Sequence, residues 1–401
     1  MKILVMNAGS SSQKSCLYEL SKESLPTQPP EPVWEAHIDW TIAEGFAVGK
    51  IKANGIKLET KLETSDRKLV LSKMLDTLTS GETKVIEQLS EIDMVGHRVV
   101  HGGTEYSQAT LITPEVKNAI ARFIPLAPSH NPANLEGIEI IEEILGDVPQ
   151  VAVFDTAFHS QMPTKAAAYP IPYEWLDKGI RRYGFHGISH QYAAQRTAQL
   201  LDKPLESLKI ITCHLGNGCS LAAIQNGKSI ATTMGFTPLE GLMMGARSGS
   251  IDPGILIYLM REYDFTADRL DKMLNKESGL KGVSGLSADM RTILAAQDNA
   301  QAKLAFEMYI ERLRSQIGSM LASLGGLDVL VFTAGVGENA AIVREKACEG
   351  WEFLGLKLDL EKNQSSPKDI DIAAIDSAVR VLVIQAQEDW AISTECWRIE
   401  H

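Results

Sequence analysis

The sequence predicts an α/β fold laid out as two lobes facing one cleft, and three observations carry that reading. Apolar strands and helical periodicities alternate along the whole chain, the signature of the α/β class. A hairpin closed by a glycine- and serine-rich turn opens the sequence and recurs from Lys209. With 401 residues, 44% of them hydrophobic, the chain has material for two or three domains of roughly 150 residues each.

In chain order, Ile3 to Met6 and Ser15 to Leu20 read as strands flanking the tight loop Asn7-Ala-Gly-Ser-Ser-Ser-Gln-Lys14. Lys209 to Ile224 repeats the arrangement and runs to an Asn226-Gly227 turn. Aligned on Lys2 and Lys209, three positions are identical, so a duplicated domain and a chance likeness of two hairpins both stay open. Asn131 as cap and Pro132 start a helix whose apolar stripe, Leu135, Ile138, Ile141 and Leu145, ends at Gly146. Asp147 to Phe154 follows as a buried strand leading into Asp155-Thr-Ala-Phe-His159. Helices are expected at 253–263, 266–276 and about 299–323, then a strand Val329 to Phe332, the turn Ala334 to Asn339, and a helix to about Cys348. A strand from Val379 to Ile384 precedes Glu388 and a helix that returns to the first lobe. The expected division is a first lobe of 1–154 plus about 387–401 and a second of 155–386.

Composition excludes several functions. Lys plus Arg number 39 against 51 Asp plus Glu, a net charge of -12, which lacks the basic excess of a nucleic-acid binder. The five cysteines are scattered without a C-x-x-C pair, so neither a disulfide framework nor a zinc ribbon is indicated and reduced thiols are expected. The apolar run after Met1 is too short for a secretory signal, and no stretch reaches the ~18 apolar residues of a membrane span. A cytoplasmic protein is the expectation.

The first loop joins small residues, hydroxyls, Asn7 and the cation Lys14, the parts of a phosphate cradle. No Walker A loop is present, and Gly335-Val-Gly337 resembles a dinucleotide fingerprint only in isolation. Histidines and arginines gather next to Gly or Pro in loops: Arg98 and His101, His130, His159 after Asp155, His186, His214 and Arg247. Loop placement favours function over core packing. No metalloprotease-type ligand spacing appears. Arginines, histidines and phosphate-type loops together suggest phosphoryl transfer, where the protein positions groups and neutralises oxygen charge.

At this point the chain resembles the acetate kinase family, within the actin and hexokinase superfamily of duplicated, ribonuclease H-like α/β lobes around a nucleotide cleft. Asn7 to Lys14 and Gly96-His-Arg-Val-Val-His-Gly-Gly103 look like its two signatures. Further likenesses are Ala127 to Pro132, Phe154 to His159, Tyr183 to Gly187, His214 to Gly218, Thr237 to Gly241, Arg247 to Pro253 and Gly335 to Asn339. The resemblance implies reversible transfer of the γ-phosphoryl of ATP to acetate, giving acetyl phosphate and ADP, with Mg²⁺ (or Mn²⁺) assisting. It implies that Arg98 and Arg247 hold the carboxylate and the phosphoryl group, with His186 on the equatorial oxygens, His130 nearby, and Asp155 near the carboxylate and metal. Val100, Phe185 and Pro238 would wall the methyl pocket, while Asn7 and Glu388 would position the metal. For the nucleotide it implies Asn217, Gly218, Gly335, Val336, Gly337 and Asn339 at phosphates and ribose, Asp289, Met290 and Arg291 at adenine, and His214 near the β- or γ-phosphate. Ser10, Ser12 and Lys14 would line the first loop. A homodimer joined through the second lobe is implied too, with no nucleic acid and no membrane among the partners.

Three departures stand out: Ser129 where the family usually has Leu, Gln385-Ala-Gln387 before Glu388, and Ile188 after Gly187. Ser129 keeps a propionate or butyrate kinase open. A sugar kinase, or a nucleotide-driven switch of the same superfamily, are the readings outside carboxylate chemistry.

Overall fold

The computed structural model describes residues 1–9, 12–41, 45–128, 130–365 and 368–401. The chain forms two compact units, one of Met1–Ala157 with Gln387–His401 and the other of Phe158–Ala386. Of the expected site positions, Ser10 and Ser129 lie outside the described residues.

Unit 1 is built on an eight-stranded sheet. Its strands are β1 (Lys2–Ala8), β2 (Ser12–Glu19), β3 (Trp34–Asp39), β4 (Ala47–Ala53), β5 (Ile56–Leu62), β6 (Met94–Val99), β7 (Thr110–Leu111) and β8 (Gln150–Phe154). They lie in the order β5-β4-β3-β2-β1-β6-β8-β7. β1 is antiparallel to β2 and parallel to β6, and β6 is parallel to β8. The strand ending at Phe154 begins at Gln150, later than the sequence suggested, because Pro149 has no N–H to give a ladder. One core fills the space under β1 to β4 with Trp34, Leu71, Leu75 and Ile141, and a smaller one gathers Val99, Ile120, Ile138 and Phe154.

Unit 2 has a six-stranded sheet: β9 (Lys209–Leu215), β10 (Cys219–Gln225), β11 (Lys228–Thr232), β12 (Val329–Thr333), β13 (Ile370–Asp371) and β14 (Arg380–Val383), in the order β11-β10-β9-β12-β14-β13. Here too the central hairpin β9/β10 is antiparallel, while β9/β12 and β12/β14 are parallel. The segment β3-β2-β1-β6-β8 therefore has the same order and sense as β11-β10-β9-β12-β14, and β1 and β9 begin at Lys2 and Lys209. That is the duplication the two hairpins suggested. The long helix Ala300–Leu324 starts with Asn299 accepting from the backbone of Gln301 and Ala302, and ends at Gly325 in the left-handed region. All five cysteines are free and buried.

Further details differ from the sequence reading. Arg98 and His214, expected in loops, lie near the carboxyl ends of β6 and β9, because each apolar strand runs on through them. Asn131 lies inside the helix Asn131–Leu145 and His130 is its cap, because the Asn131 side chain is needed elsewhere: it accepts from His101 N–H and donates to the carbonyls of His101 and Ile120. Ala334 to Asn339 is a short helix in its own right rather than a turn, entered through Ala334 at φ 66.

Burial also places neutral histidines in both units. Desolvation holds the imidazoles of His97, His101 and His159 down at about 4, against 6.5 for a free histidine. These groups stay neutral in the fold and charge near pH 6.5 in the unfolded chain, so their contribution to stability is complete above that pH and is lost as pH falls toward 4. Each costs ~1.4 kcal/mol per pH unit inside that window. Calorimetric Tm is expected to be level from about pH 8 to 7 and to fall steadily from about pH 6.5 downward; a level Tm down to about pH 5 would contradict it.

Candidate active site

The chemistry-bearing residues fall into three groups, two in unit 1 and one in unit 2. In unit 1 Arg98 leaves the carboxyl end of β6, and Asp155 follows β8, the strand parallel to it. The pairing fixes them side by side: Arg98 Nε and Nη2 donate to Asp155 Oδ2 at 3.1 and 2.5 Å. Both are largely buried. Burial works against the Arg98 charge, but Asp155, Glu388 and Asp389 more than offset it, so the guanidinium is held more firmly charged than usual. Val100 is buried one step further, its N–H donating to Asn134 Oδ1.

The second group rests on the close approach of the helix Glu388–Glu400, which packs on β1 and β6. A β-carbon on Gly96 would lie 2.5 Å from Cys396 Sγ and 2.7 Å from Ile392 Cγ2, so the first glycine of the Gly96 to Gly103 signature seats this helix. Its first turn then brings two carboxylates to the end of β1, where Asn7 Nδ2 donates to Asp389 Oδ1 at 2.9 Å and to Glu388 Oε2 at 3.4 Å. Asp389 was not among the expected residues. Burial, with Glu388 beside it, pushes its carboxyl above the usual range against the pull of Asn7. An all-oxygen set with few protein ligands suits Mg²⁺, which keeps waters and phosphates in its shell. Among the described residues no cluster of three or more His, Cys, Asp or Glu forms a closed metal cage. Ser12 and Lys14 lie on β2, with Lys14 opposite Asn7 in the ladder and exposed.

The third group, in unit 2, is the densest. His186 sits in the left-handed region at φ 55, a strained conformation for a side chain, at the start of the helix Gly187–Leu201. Its ring stacks on His214 at 4.1 Å between centroids. Arg247 Nη1 donates to the Pro238 carbonyl at 3.1 Å. Gly218 is where they meet: a β-carbon there would lie 3.5 Å from both His186 Nε2 and Arg247 Nη1. His159 Nε2, 3.1 Å from the carbonyl of the buried Phe185, steadies the segment ahead of His186.

The same loop borders a cavity of about 570 Å³ lined by Gly216, Asn217, Asp289, Met290, Arg291, Gly335, Val336 and Asn339, and also by Ser287, Ala288, Leu294 and Ala340, which sequence reading missed. Its size falls in the range of small-molecule sites. Gly337 faces the sheet, 3.6 Å from the Cys213 carbonyl if given a β-carbon, and so packs rather than lines the cavity. Gly218 and His214 are likewise off its lining, and Ser12 and Lys14 belong to unit 1. Gly245 must lack a side chain, because a β-carbon would fall 2.3 Å from Asn217 Oδ1. Arg344 is a further residue the sequence did not flag. Fully buried, it donates to the carbonyls of Gly337, Glu338 and Asn363 and to Asn363 Oδ1, and thereby fixes the 334–339 helix.

Two sheets of like order, each carrying its polar groups at the carboxyl ends of parallel strands, define an α/β protein of the actin- and hexokinase-like class. Within that class, residues 2–394 match the acetokinase family, and the chain belongs to it. It is 70% identical over 398 residues to the acetate kinase of Rippkaea orientalis, covering 99% of this chain and 98% of that one. The crystal structure of Porphyromonas gingivalis acetate kinase is 40% identical with a TM-score of 0.91, covering 100% of both chains. A propionate kinase from Francisella tularensis is 39% identical with a TM-score of 0.89, covering 98% of both.

The fit of Gly96 against the helix is directly testable. Gly96→Ala is expected to lower stability by ~1 to 3 kcal/mol through overpacking. Adding Cys396→Ala, which opens the space, is expected to recover part of that loss in urea unfolding; no recovery would assign the strain elsewhere.

Proposed function

We propose that the chain is a kinase transferring the γ-phosphoryl group of ATP to the carboxylate of acetate, reversibly, to give acetyl phosphate and ADP. The observation that carries the reading is the convergence of His186 Nε2 and Arg247 Nη1 on Gly218, in the loop whose preceding residues line the 570 Å³ cavity. A nucleotide in that cavity would run its phosphates along the 216–218 loop toward two donors. The names carried by relatives as close as 70% identity support acetate as the acceptor.

The chemistry asks little of the protein by way of proton transfer. Acetate is ionised at neutral pH, as carboxyls with pKa values near ~4 are. One of its oxygens attacks the γ-phosphorus directly, the bond to the β,γ-bridging oxygen breaks, and the electron pair leaves on ADP. No base is required, so Asp155 is free to spend its charge on Arg98, and we assign it to aiming that guanidinium at the acetate carboxylate. Arg247 and His186 are assigned to the phosphoryl oxygens, His214 to the adjoining phosphate, and His130 to a lesser role near Arg98. Val100 is assigned to the methyl pocket, where one methylene is worth only ~1 to 3 kcal/mol, so propionate is a weaker substrate rather than an excluded one. Mg²⁺, for which we assign Glu388, Asp389 and Asn7, would neutralise phosphate charge.

We assign the nucleotide to unit 2 and the acetate and metal to unit 1. We place the enzyme in the cytoplasm; no helix among the described residues is long and apolar enough to cross a membrane. A homodimer through unit 2 is supported by the helix Pro253–Glu262, which buries none of its residues and exposes Ile255, Ile257, Tyr258 and Met260, with Tyr263 beyond its end. A helix with exposed apolar side chains all round and none of its residues buried marks an association surface.

Hydroxylamine trapping tests the reaction, since only an acyl phosphate yields a hydroxamate. With Mg-ATP the signal is expected to be strongest with acetate, weaker with propionate and absent with glucose, and Arg247→Ala is expected to lower kcat by ~100-fold or more. No hydroxamate from any acid would overturn the assignment. For the dimer, Tyr258→Glu is expected to shift sedimentation from dimer to monomer, and a wild-type protein sedimenting as a monomer would remove the interface.

A further inference from the structure

Behind His186 lies a chain of buried hydroxyls and imidazoles that the reaction as described does not use. Ser220 Oγ sits 2.9 Å from His186 Nδ1 and 2.7 Å from His190 Nε2, and Thr212 Oγ1 lies 2.7 Å from His190 Nδ1. Thr212, His190 and Ser220 are each fully buried, so water does not reach them. Every proton along the chain must therefore be placed among these atoms, and a count of donors and acceptors decides where.

The count starts at the far end. The Thr212 hydroxyl has His190 Nδ1 as its one hydrogen-bond partner among the described residues. Were it to accept from His190, its own proton would be buried without an acceptor, at a cost of roughly 1 to 3 kcal/mol. It therefore donates, and His190 Nδ1 accepts. Burial, with His159 and His214 nearby, keeps His190 neutral, so its single proton is on Nε2 and is donated to Ser220 Oγ. The Ser220 proton then has one place left, His186 Nδ1. The same count applies beside it: Ser189 is buried and its hydroxyl, 2.8 Å from His214 Nδ1, has no second partner among the described residues.

We propose that Thr212, His190 and Ser220 form a relay of fixed polarity that holds the ring proton of neutral His186 on Nε2, the nitrogen that shares Gly218 with Arg247. His186 then meets phosphoryl oxygens as a hydrogen-bond donor without first acquiring a charge beside the Arg247 guanidinium. Ser189 does the same for His214. The reverse polarity would aim a bare nitrogen lone pair at an anion. Thr212, His190 and Ser220 are positioning residues: they act on the substrate only through His186, since which ring nitrogen is protonated follows from the bond the other one makes. The use of the Nε2 proton rests on the kinase reading; its location does not.

The test reads the two separately. In the full chain labelled with ¹⁵N-histidine and free of substrates, long-range ¹H–¹⁵N spectra report which nitrogen of each ring is protonated, with His186→Gln identifying the His186 signals. A single Nε2-protonated form is expected for His186. Thr212→Val, which keeps the shape and removes the far hydroxyl, and Ser220→Ala, which removes the link, are each expected to give mixed tautomers at His186. Their kcat should fall ~10-fold with KM for ATP little changed, a fraction of the ~100-fold loss when a transition-state donor is removed outright. Thr212→Ser should restore both readouts. A wild-type His186 protonated on Nδ1, or an unmixed tautomer in both variants, would overturn the relay whatever the activity. The expected tautomers without hydroxamate from any acid would instead keep the relay and overturn the kinase reading.

Discussion

Parallel pairing of the central strands is the constraint from which the rest of the molecule follows. A parallel neighbour can be reached only by a crossover, so β1, β6 and β8 all end on one side of their sheet, as β9, β12 and β14 do on theirs. At those carboxyl ends the backbone leaves the ladder and polar side chains collect. Asn7, Arg98 and Asp155 stand at the ends of the first three strands. His214 with the 216–218 loop, and the 334–339 helix, stand at the ends of β9 and β12. The functional residues are scattered in sequence and gathered by this one geometric rule.

The second theme is how little of the buried charge and polarity is left uncommitted. Arg98 is paired with Asp155, and Arg344 is surrounded by carbonyls and the Asn363 amide. A buried charge is tolerable only with partners of this kind, and among the partners here are Asp155 and the carbonyls of Gly337 and Glu338. Rigidity of the site and satisfaction of the interior are the same set of hydrogen bonds. Arg344 shows it most plainly, because two of the carbonyls it needs belong to the short helix beside the cavity.

Much of this was legible in the sequence, for identifiable reasons. The two hairpins announced themselves because both central strands are apolar and both loops small and polar, and Lys2 and Lys209 do start equivalent strands. The long helix was bounded correctly by Asn299 and Gly325, whose capping is local chemistry. The strands β3 to β5 escaped notice, since β5 is an edge strand with mostly exposed residues and offers no clean alternation. Asn131 looked like a cap and is not, because a buried loop 30 residues away claims its side chain. Asp389 and Arg344 were invisible for the same reason: their importance depends on what a distant element brings alongside them. Gly96 was recognised by resemblance, whereas its work, seating a helix, and that of Gly245, clearing Asn217, are matters of tertiary distance.

The discontinuity of unit 1 carries a consequence for how the protein comes into being. Unit 2 is one unbroken segment, 158–386, whereas unit 1 needs residues 387–401 laid against β1 and β6. As the chain emerges from the ribosome, the strands of unit 1 are made first, yet the helix that covers them arrives only after the whole of unit 2 has been synthesised. During that interval, at ~5 to 20 residues per second, Ile3, Val5 and Met94, which share the Gly96 face of the sheet, would wait without their final neighbours. The carboxylates at the start of that helix are thus the last of the candidate groups to arrive, and metal binding at Asn7 would coincide with completion of the fold.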